Sequence, residues 1–254
     1  MASPTTSDLK TVRALGPTEA WVGGADGTML RWNGSTWSST KVGAQTWRSV
    51  SGVSGDLWAV GSGGSTAHFD GVSWSTIDSG VTASLLGVWR QSASDVWAVG
   101  SANTVIRWNG SAWSSYPQPD AGQYARLAGV WASGANEVYV AGGGAEESLG
   151  GFPFTIQRAI TRRWSGAQWT ELGEDAGVPA QTDFFPFPLY LSNLSVIDST
   201  EVWAKVEGGL TTPRLMRWNG SAWKPEPSAM IFSSMSAAPA AISISSDSFY
   251  RKKR

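Results

Sequence analysis

The stretch RWNGSAW runs from Arg107 to Trp113 and recurs letter for letter from Arg217 to Trp223. Near-copies stand at Arg31–Trp37 (RWNGSTW), His68–Trp74 (HFDGVSW) and Arg163–Trp169 (RWSGAQW). A second phrase precedes each copy: TEAWVGG from Thr18, GDLWAVG from Gly55, SDVWAVG from Ser94, NEVYVAG from Asn136 and TEVWAKV from Thr200. A third comes earlier still, as LLGVW at Leu85 and LAGVW at Leu127, with looser forms at Leu9, Trp47 and Leu191. One unit is therefore an apolar run, a polar loop, an acid-x-aromatic run, a Gly-rich turn, a basic-aromatic run, an Asn-Gly turn and a closing Trp run.

Each run is about 4–6 residues long, rich in β-branched and aromatic residues and bounded by turn residues, which is strand chemistry. Asn-Gly between two such runs signals a tight hairpin, because both residues tolerate positive φ. No stretch sustains a 3.6-residue apolar period, so almost no helix is expected. Four short antiparallel strands repeated every ~40 residues is the spacing of a propeller blade. The aromatics Trp21, Trp58, Trp97 and Tyr139 keep that step, and the longer gap to Trp203 places insertions in the fourth unit.

The expected fold is all-β: a six-bladed β-propeller of four-stranded antiparallel blades, the last incomplete, spanning 1–254 as one domain. The blades fall near 9–46, 47–84, 85–125, 126–190, 191–231 and 232–254. In the last, Met235-Ser-Ala-Ala, Ala241-Ile-Ser-Ile and Phe249-Tyr-Arg read as three strands. Residues 1–8 are a short candidate for its outer strand. Otherwise the last blade stays three-stranded.

The unit resembles the Kelch repeat in the Gly pair after the second strand, the aromatic in the third and the Trp in the fourth. It is also similar to BNR (Asp-box) propellers, including photosystem assembly-factor repeats, in its WAVGxxGxxxRxxxGxxW-like spacing. The Asp-box acid stands only at Asp70, where the other units have Asn or Ser. The resemblance implies a bacterial propeller that docks partners on its variable-loop face.

Composition excludes several chemistries. There is no cysteine, so disulfides, thiolate metal sites and cysteine nucleophiles are out. His68 is the single histidine, which removes His triads and multi-His metal sites and suits the basic slot it shares with the repeated arginines. A formal net charge of −1 gives no electrostatic call on nucleic acid. No apolar run reaches the ~20 residues of a membrane helix. No cofactor or metal ligand set is visible. Charged residues are only 15 % of the chain, which suits an extracellular, periplasmic or cell-surface protein, although MASPTTSDLK shows no leader pattern.

The repeated rings read chiefly as wedge filling between blades. Trp89 and Trp131 differ: they sit on innermost strands where other units have Arg13, Ser51, Ser195 and Ser236, and are candidates for lining the central channel. The repeated acids Glu19, Asp56, Asp95, Glu137 and Glu201 and the repeated bases Arg31, Arg107, Arg163 and Arg217 read as ion pairs that set blade register. Asn33, Asn109 and Asn219 match the glycosylation pattern, but turn chemistry accounts for them.

The fourth unit enlarges two loops of one face, 142–160 and 171–190. Long loops in compact domains are usually functional or disordered. Arg158 lies on the first. Phe184, Phe185, Phe187 and Tyr190 lie on the second, with Pro186 and Pro188 between. These aromatics either form a binding patch or fold over Phe152 and Phe154 as a private core. The expected function is a non-enzymatic scaffold whose partner is a protein segment or a glycan. The alternatives are a lectin with equivalent inter-blade sugar sites, and a glycoside hydrolase or sialidase-like propeller. The last needs two carboxylates held rigidly.

Overall fold

In the first blade, β1 (Leu9–Gly16), β2 (Glu19–Gly24), β3 (Thr28–Trp32) and β4 (Trp37–Lys41) pair in chain order as an antiparallel meander. The second repeats this with β5 (Trp47–Val53), β6 (Asp56–Gly61), β7 (Thr66–Phe69) and β8 (Trp74–Ile77), and the third with β9 (Leu85–Ser92), β10 (Asp95–Gly100), β11 (Val105–Trp108) and β12 (Trp113–Ser115). The fourth holds β13 (Arg126–Gly134), β14 (Glu137–Glu146), β15 (Ile156–Trp164) and β16 (Trp169–Glu171), and the fifth β17 (Tyr190–Asp198), β18 (Glu201–Glu207), β19 (Arg214–Trp218) and β20 (Trp223–Glu226). Two strands of a sixth follow, β21 (Ser234–Ala238) and β22 (Ala241–Ser245). The computed structural model describes residues 4–116, 125–146, 156–172, 190–198, 201–207, 214–226, 234–238 and 241–245. Among them the one helical feature is a 3₁₀ turn at Ser62–Gly64.

The first strands make the ring. Each packs on the first strand of the next blade, from β1 through β5, β9, β13 and β17 to β21, and β21 packs back on β1. The protein is a six-bladed β-propeller with five complete blades and a partial sixth. Residues 4–8 are not in a strand; the Asp8 carbonyl instead accepts the Ala25 N–H at 2.8 Å, which ties this segment to the first blade. Phe249 to Arg251 lie outside the described residues.

One rule builds the four seams from the first blade to the fifth. The aromatic face of one blade packs on the Val/Ala face of the next. Trp21 and Met29 meet Val50, Leu57 and Ala59; Trp58 meets Val88, Val96 and Ala98; Trp97 meets Val130, Val138 and Val140; and Trp131 and Tyr139 meet Val202 and Ala204. The fourth-strand Trp of the later blade closes the wedge edge-on against the earlier blade's ring. The pairs are Trp21–Trp74 at 5.6 Å, Trp58–Trp113 at 5.2 Å, Trp97–Trp169 at 6.2 Å and Trp131–Trp223 at 6.3 Å. Perpendicular rings satisfy their quadrupoles as well as burying area.

The glycine ending each WAVG-like phrase has a separate cause. A Cβ on Gly61, Gly100 or Gly142 would lie 2.2, 2.2 or 2.0 Å from the carbonyl oxygen of Thr46, Ser84 or Arg126, just before or at the start of the blade's first strand. For Gly61 and Gly100, the following residue donates its N–H to that same carbonyl, at 3.0 and 2.9 Å.

The Asn-Gly turns differ from expectation. Only the glycine takes positive φ, +96° at Gly34 and +99° at Gly110. The loop holds four residues, and the Asn side chain caps it: Asn33 Oδ1 accepts the N–H groups of Ser35 and Thr36 at 3.0 and 2.8 Å. Asp70 makes the same pair of contacts with Val72 and Ser73, at 2.9 and 2.8 Å. The residue is therefore chosen as an acceptor, not for left-handed backbone.

Candidate functional site

In each complete blade the acid opening the second strand pairs with the base on the third. The pairs are Glu19–Arg31 at 3.6 Å, Asp56–His68 at 2.9 Å, Asp95–Arg107 at 2.8 Å, Glu137–Arg163 at 3.0 Å and Glu201–Arg217 at 3.3 Å. The register explains this: the base stands directly opposite the central aromatic, as in Trp21↔Arg31 and Trp97↔Arg107. It therefore covers the ring face. The guanidinium carbon lies 5.2 Å from Trp21, 5.0 Å from Trp97 and 5.6 Å from Trp203, and His68 stacks on Trp58 at 4.6 Å.

Acid length sets a further distinction. The glutamates also accept from the ring two residues on, at 3.0 Å from Trp21 Nε1, 2.9 Å from the Tyr139 hydroxyl and 3.1 Å from Trp203 Nε1. Aspartate is one methylene shorter. In those two blades Trp58 Nε1 and Trp97 Nε1 are buried without a protein acceptor.

Electrostatics follow from these clasps. Burial opposes ionisation of Asp56, yet hydrogen bonds from Arg90 and His68 outweigh it and hold the carboxyl below its usual range. Burial likewise opposes ionisation of Glu19, where Ser54, Trp21 and Arg31 prevail. Burial, then the bond to Glu137, pushes the Tyr139 hydroxyl up to about 12. The Asp95 hydrogen bond raises Arg107 above its ordinary value. These groups are held in structural pairs. Among the described residues, no group of three His, Cys, Asp or Glu side chains is placed to hold a metal, and no helix is long and apolar enough to cross a membrane.

The channel-strand candidates separate. Trp131 is fully buried, stacked on Tyr139 with centroids 5.2 Å apart and planes 7° from parallel. It fills the wedge toward the fifth blade instead of lining the channel, because the residue opposite the central aromatic shares its face. Trp89 is half-buried, touches the clusters of both the third–fourth and fourth–fifth seams, and donates its Nε1 to Gln91 Oε1 at 3.1 Å. Phe184, Phe185 and Phe187 lie outside the described residues. Tyr190 opens β17, paired with Glu207, on the face that carries the fourth-blade insertions.

The larger correction concerns 142–160. Most of this segment is strand. In the first three blades, pairing of the second and third strands ends two residues past the aromatic, at Gly23↔Met29, Val60↔Thr66 and Val99↔Val105. In the fourth it continues through Gly142↔Ile160 and Gly144↔Arg158 to Glu146↔Ile156. Those extra rungs carry the β14–β15 hairpin on the order of 17 Å past the others, at ~3.4 Å per residue. Arg158 rides on it. The β-branched residues Ile156, Ile160 and Thr161 leading into the Arg-Arg-Trp run were the available signal; three successive glycines at 142–144 masked it.

Two further arginines were missed. Arg90, on β9, reaches back across the seam to Asp56. Arg162 is fully buried at the position where other blades place Leu30, Ala67, Ile106 and Met216, and its guanidinium donates to Asn103 Oδ1 of the third blade at 3.1 Å. Each occurs in one blade only, so no repeat announces it.

No family model matches the chain, and no curated protein matches it in sequence. Solved structures share its fold. A chain of the mitotic checkpoint complex aligns over 96 % of this chain and 73 % of its own length, at 12 % identity and TM-score 0.64. YCF48 from Cyanidioschyzon merolae aligns over 89 % and 87 %, at 15 % identity and TM-score 0.51. The Cps50 (Swd1) β-propeller domain from Myceliophteria thermophila aligns over 94 % of both chains, at 11 % identity and TM-score 0.51. The chain is thus a β-propeller repeat protein, and at these identities the likeness carries the fold alone.

Proposed function

We propose that this propeller is a non-enzymatic binding scaffold of Kelch-like or BNR-like kind, which takes a protein segment on the face bearing the fourth-blade insertions. The observation that carries the reading is the β14–β15 hairpin, which outruns its counterparts in the first three blades on a ring otherwise built by repetition. Arg158 on the hairpin, Tyr190 at the start of β17, and Phe184, Phe185 and Phe187 supply a cation and aromatic anchors. Such side chains dominate protein interfaces.

The clasps argue against catalysis by the repeated carboxylates, since each already holds a base. Equivalent inter-blade sugar sites draw no support either, because Trp21, Trp58 and Trp97 are covered by the next blade. On composition, the same reading takes the protein as exported by a bacterium to the periplasm or cell surface.

The test is a binding comparison. Proteins retained on the immobilised full chain are identified by mass spectrometry, and the strongest is titrated calorimetrically against the wild type and against Phe185→Ser/Phe187→Ser. Loss of binding by the variant, with its circular dichroism intact, is expected. Undiminished affinity overturns the reading.

A further inference from the structure

Three hairpin turns carry the same chemistry: Asn33-Gly34-Ser35, Asn109-Gly110-Ser111 and Asn219-Gly220-Ser221. The Asn and Gly of each are exposed. In each, the Asn Oδ1 accepts from two backbone N–H groups and a hydroxyl. At Asn109 the donors are the Ser111 N–H, the Ala112 N–H and the Ser111 hydroxyl, all at 2.9 Å. At Asn219 they are the Ser221 N–H at 3.1 Å, and the Ala222 N–H and Ser221 hydroxyl at 2.9 Å. At Asn33 the Ser35 hydroxyl joins the two N–H groups, at 3.1 Å.

The other two participants are uncommitted. Neither the Asn amide nitrogen nor the N–H of the following glycine has a hydrogen-bond partner among the described residues. The glycines hold φ at +96°, +99° and +92°, which bars most side chains, so no Cβ shields that nitrogen. A carbonyl whose oxygen faces preorganised donors, a nitrogen held beside it and an untethered leaving group are the parts of an acyl transfer. The chain also carries the product. In the second blade Asp70 stands where the others have Asn, and its carboxylate accepts the same pair of N–H groups, from Val72 and Ser73.

We propose that Asn33, Asn109 and Asn219 are self-modification sites, at which the side-chain amide becomes a carboxylate. Solvent base takes the glycine N–H proton, and that nitrogen bonds to the Asn Cγ. Negative charge gathers on Oδ1 against its donors. The Cγ–Nδ2 bond then breaks, Nδ2 takes up a proton and leaves as ammonia, and a cyclic succinimide closes. Water adding at Cγ breaks the new bond and leaves aspartate on an unaltered main chain. Water adding at the backbone carbonyl gives isoaspartate instead. That product lengthens the main chain and moves its carboxylate off the cap, so the turn disfavours it. The aspartate does not react again: hydrogen bonds from Ser73 and Val72 hold the Asp70 carboxyl below its usual range, and an ionised carboxylate is a poor electrophile. Each conversion adds one negative charge, so three move the formal net charge from −1 to −4. All three charges fall at the blade ends opposite the β14–β15 hairpin turn.

Peptide mapping of the full-length protein held in mildly alkaline buffer tests this, with the end-capped peptide RWNGSAW, copied from Arg107–Trp113, as reference. The amide-to-acid mass gain is followed at each Asn, hydroxylamine cleavage traps the succinimide, and electron-transfer fragmentation separates aspartate from isoaspartate. All three sites should convert at least as fast as the peptide, yield a larger share of aspartate, and slow on acidification. A hydrogen bond to a charged oxygen is roughly twice as strong as a neutral one, so Ser111→Ala should slow Asn109 about fivefold. Asn33 and Asn219 in the same molecule should keep their rates, which reports an intact fold. Asn109→Asp should melt with the wild type. Conversion slower than in the free peptide means that the cap protects the amide, and overturns the proposal. So does an isoaspartate share equal to the peptide's, an Asn109 rate that ignores Ser111→Ala, or a lowered Tm in Asn109→Asp.

Discussion

Replacing Glu19 in two ways separates the halves of the clasp. Glu19 accepts from Trp21 Nε1 at 3.0 Å and faces Arg31 at 3.6 Å. The indole is buried, whereas Arg31 is exposed. A hydrogen bond from a buried donor to a charged acceptor contributes about 1.5–3 kcal/mol, and an exposed ion pair at most about 1 kcal/mol. Glu19→Asp shortens the arm. By analogy with Asp56 and Asp95 it keeps the base and strands the indole N–H, costing about 1.5 kcal/mol. Glu19→Gln removes the charge and keeps an oxygen at the same reach, costing about 0.5 kcal/mol. Urea unfolding with unchanged m-value reads both, and at this chain length 1 kcal/mol corresponds to roughly 2–4 °C in Tm. The Trp21 indole resonance in a ¹⁵N spectrum should move in Glu19→Asp and stay in Glu19→Gln. If Glu19→Gln is the more damaging, or the indole signal ignores Glu19→Asp, the ring is not held by its glutamate and the reasoning fails.

Other consequences are equally direct. Gly100→Ala should cost about 2 kcal/mol or more in urea unfolding, because its Cβ would sit 2.2 Å from the Ser84 carbonyl oxygen and overpacking is strongly penalised. The Tyr139 hydroxyl, raised from 10.0 to about 12, contributes stability that is complete below pH 10 and is lost as pH climbs toward 12. Tyr139→Phe should therefore flatten the alkaline limb of a Tm-against-pH curve, and an unchanged limb counts against the burial argument. Asp56 is held below its ordinary value, so its contribution is present above the unfolded carboxylate range and lost as pH falls through the folded value. Asp56→Asn should lower Tm at neutral pH but shrink the loss on acidification below about pH 4, read by the same thermal scans.

What could be read beforehand followed from repetition. Trp21, Trp58, Trp97, Tyr139 and Trp203 recur at one phase with an acid two residues before them, and a base recurs in the basic-aromatic run that follows. Antiparallel pairing then brings the acid and the base together. Features occurring once were invisible. Arg162 and Arg90 act across seams, and no local pattern tells an arginine which neighbouring blade it will meet. Gly142-Gly-Gly144 read as a loop because glycine is a poor strand former, yet pairing with Arg158 to Ile160 overrode that preference. Trp131 reads as a channel residue because other units carry Arg13, Ser51 or Ser195 at its place, whereas the face it shares with Tyr139 decides its burial. The candidate aromatics Phe184, Phe185 and Phe187 fall outside the described residues, so their part rests on chemistry rather than geometry.

The most direct measurement shortens the fourth-blade hairpin. Residues 144–157 are replaced by the Ser101-Ala-Asn-Thr104 turn of the third blade, and the identified partner is titrated calorimetrically beside a thermal melt. Binding should disappear while Tm stays within a few degrees of the wild type, since the seams of the ring lie below the cut. Full affinity in the shortened protein would contradict the claim that this hairpin face is where the propeller works.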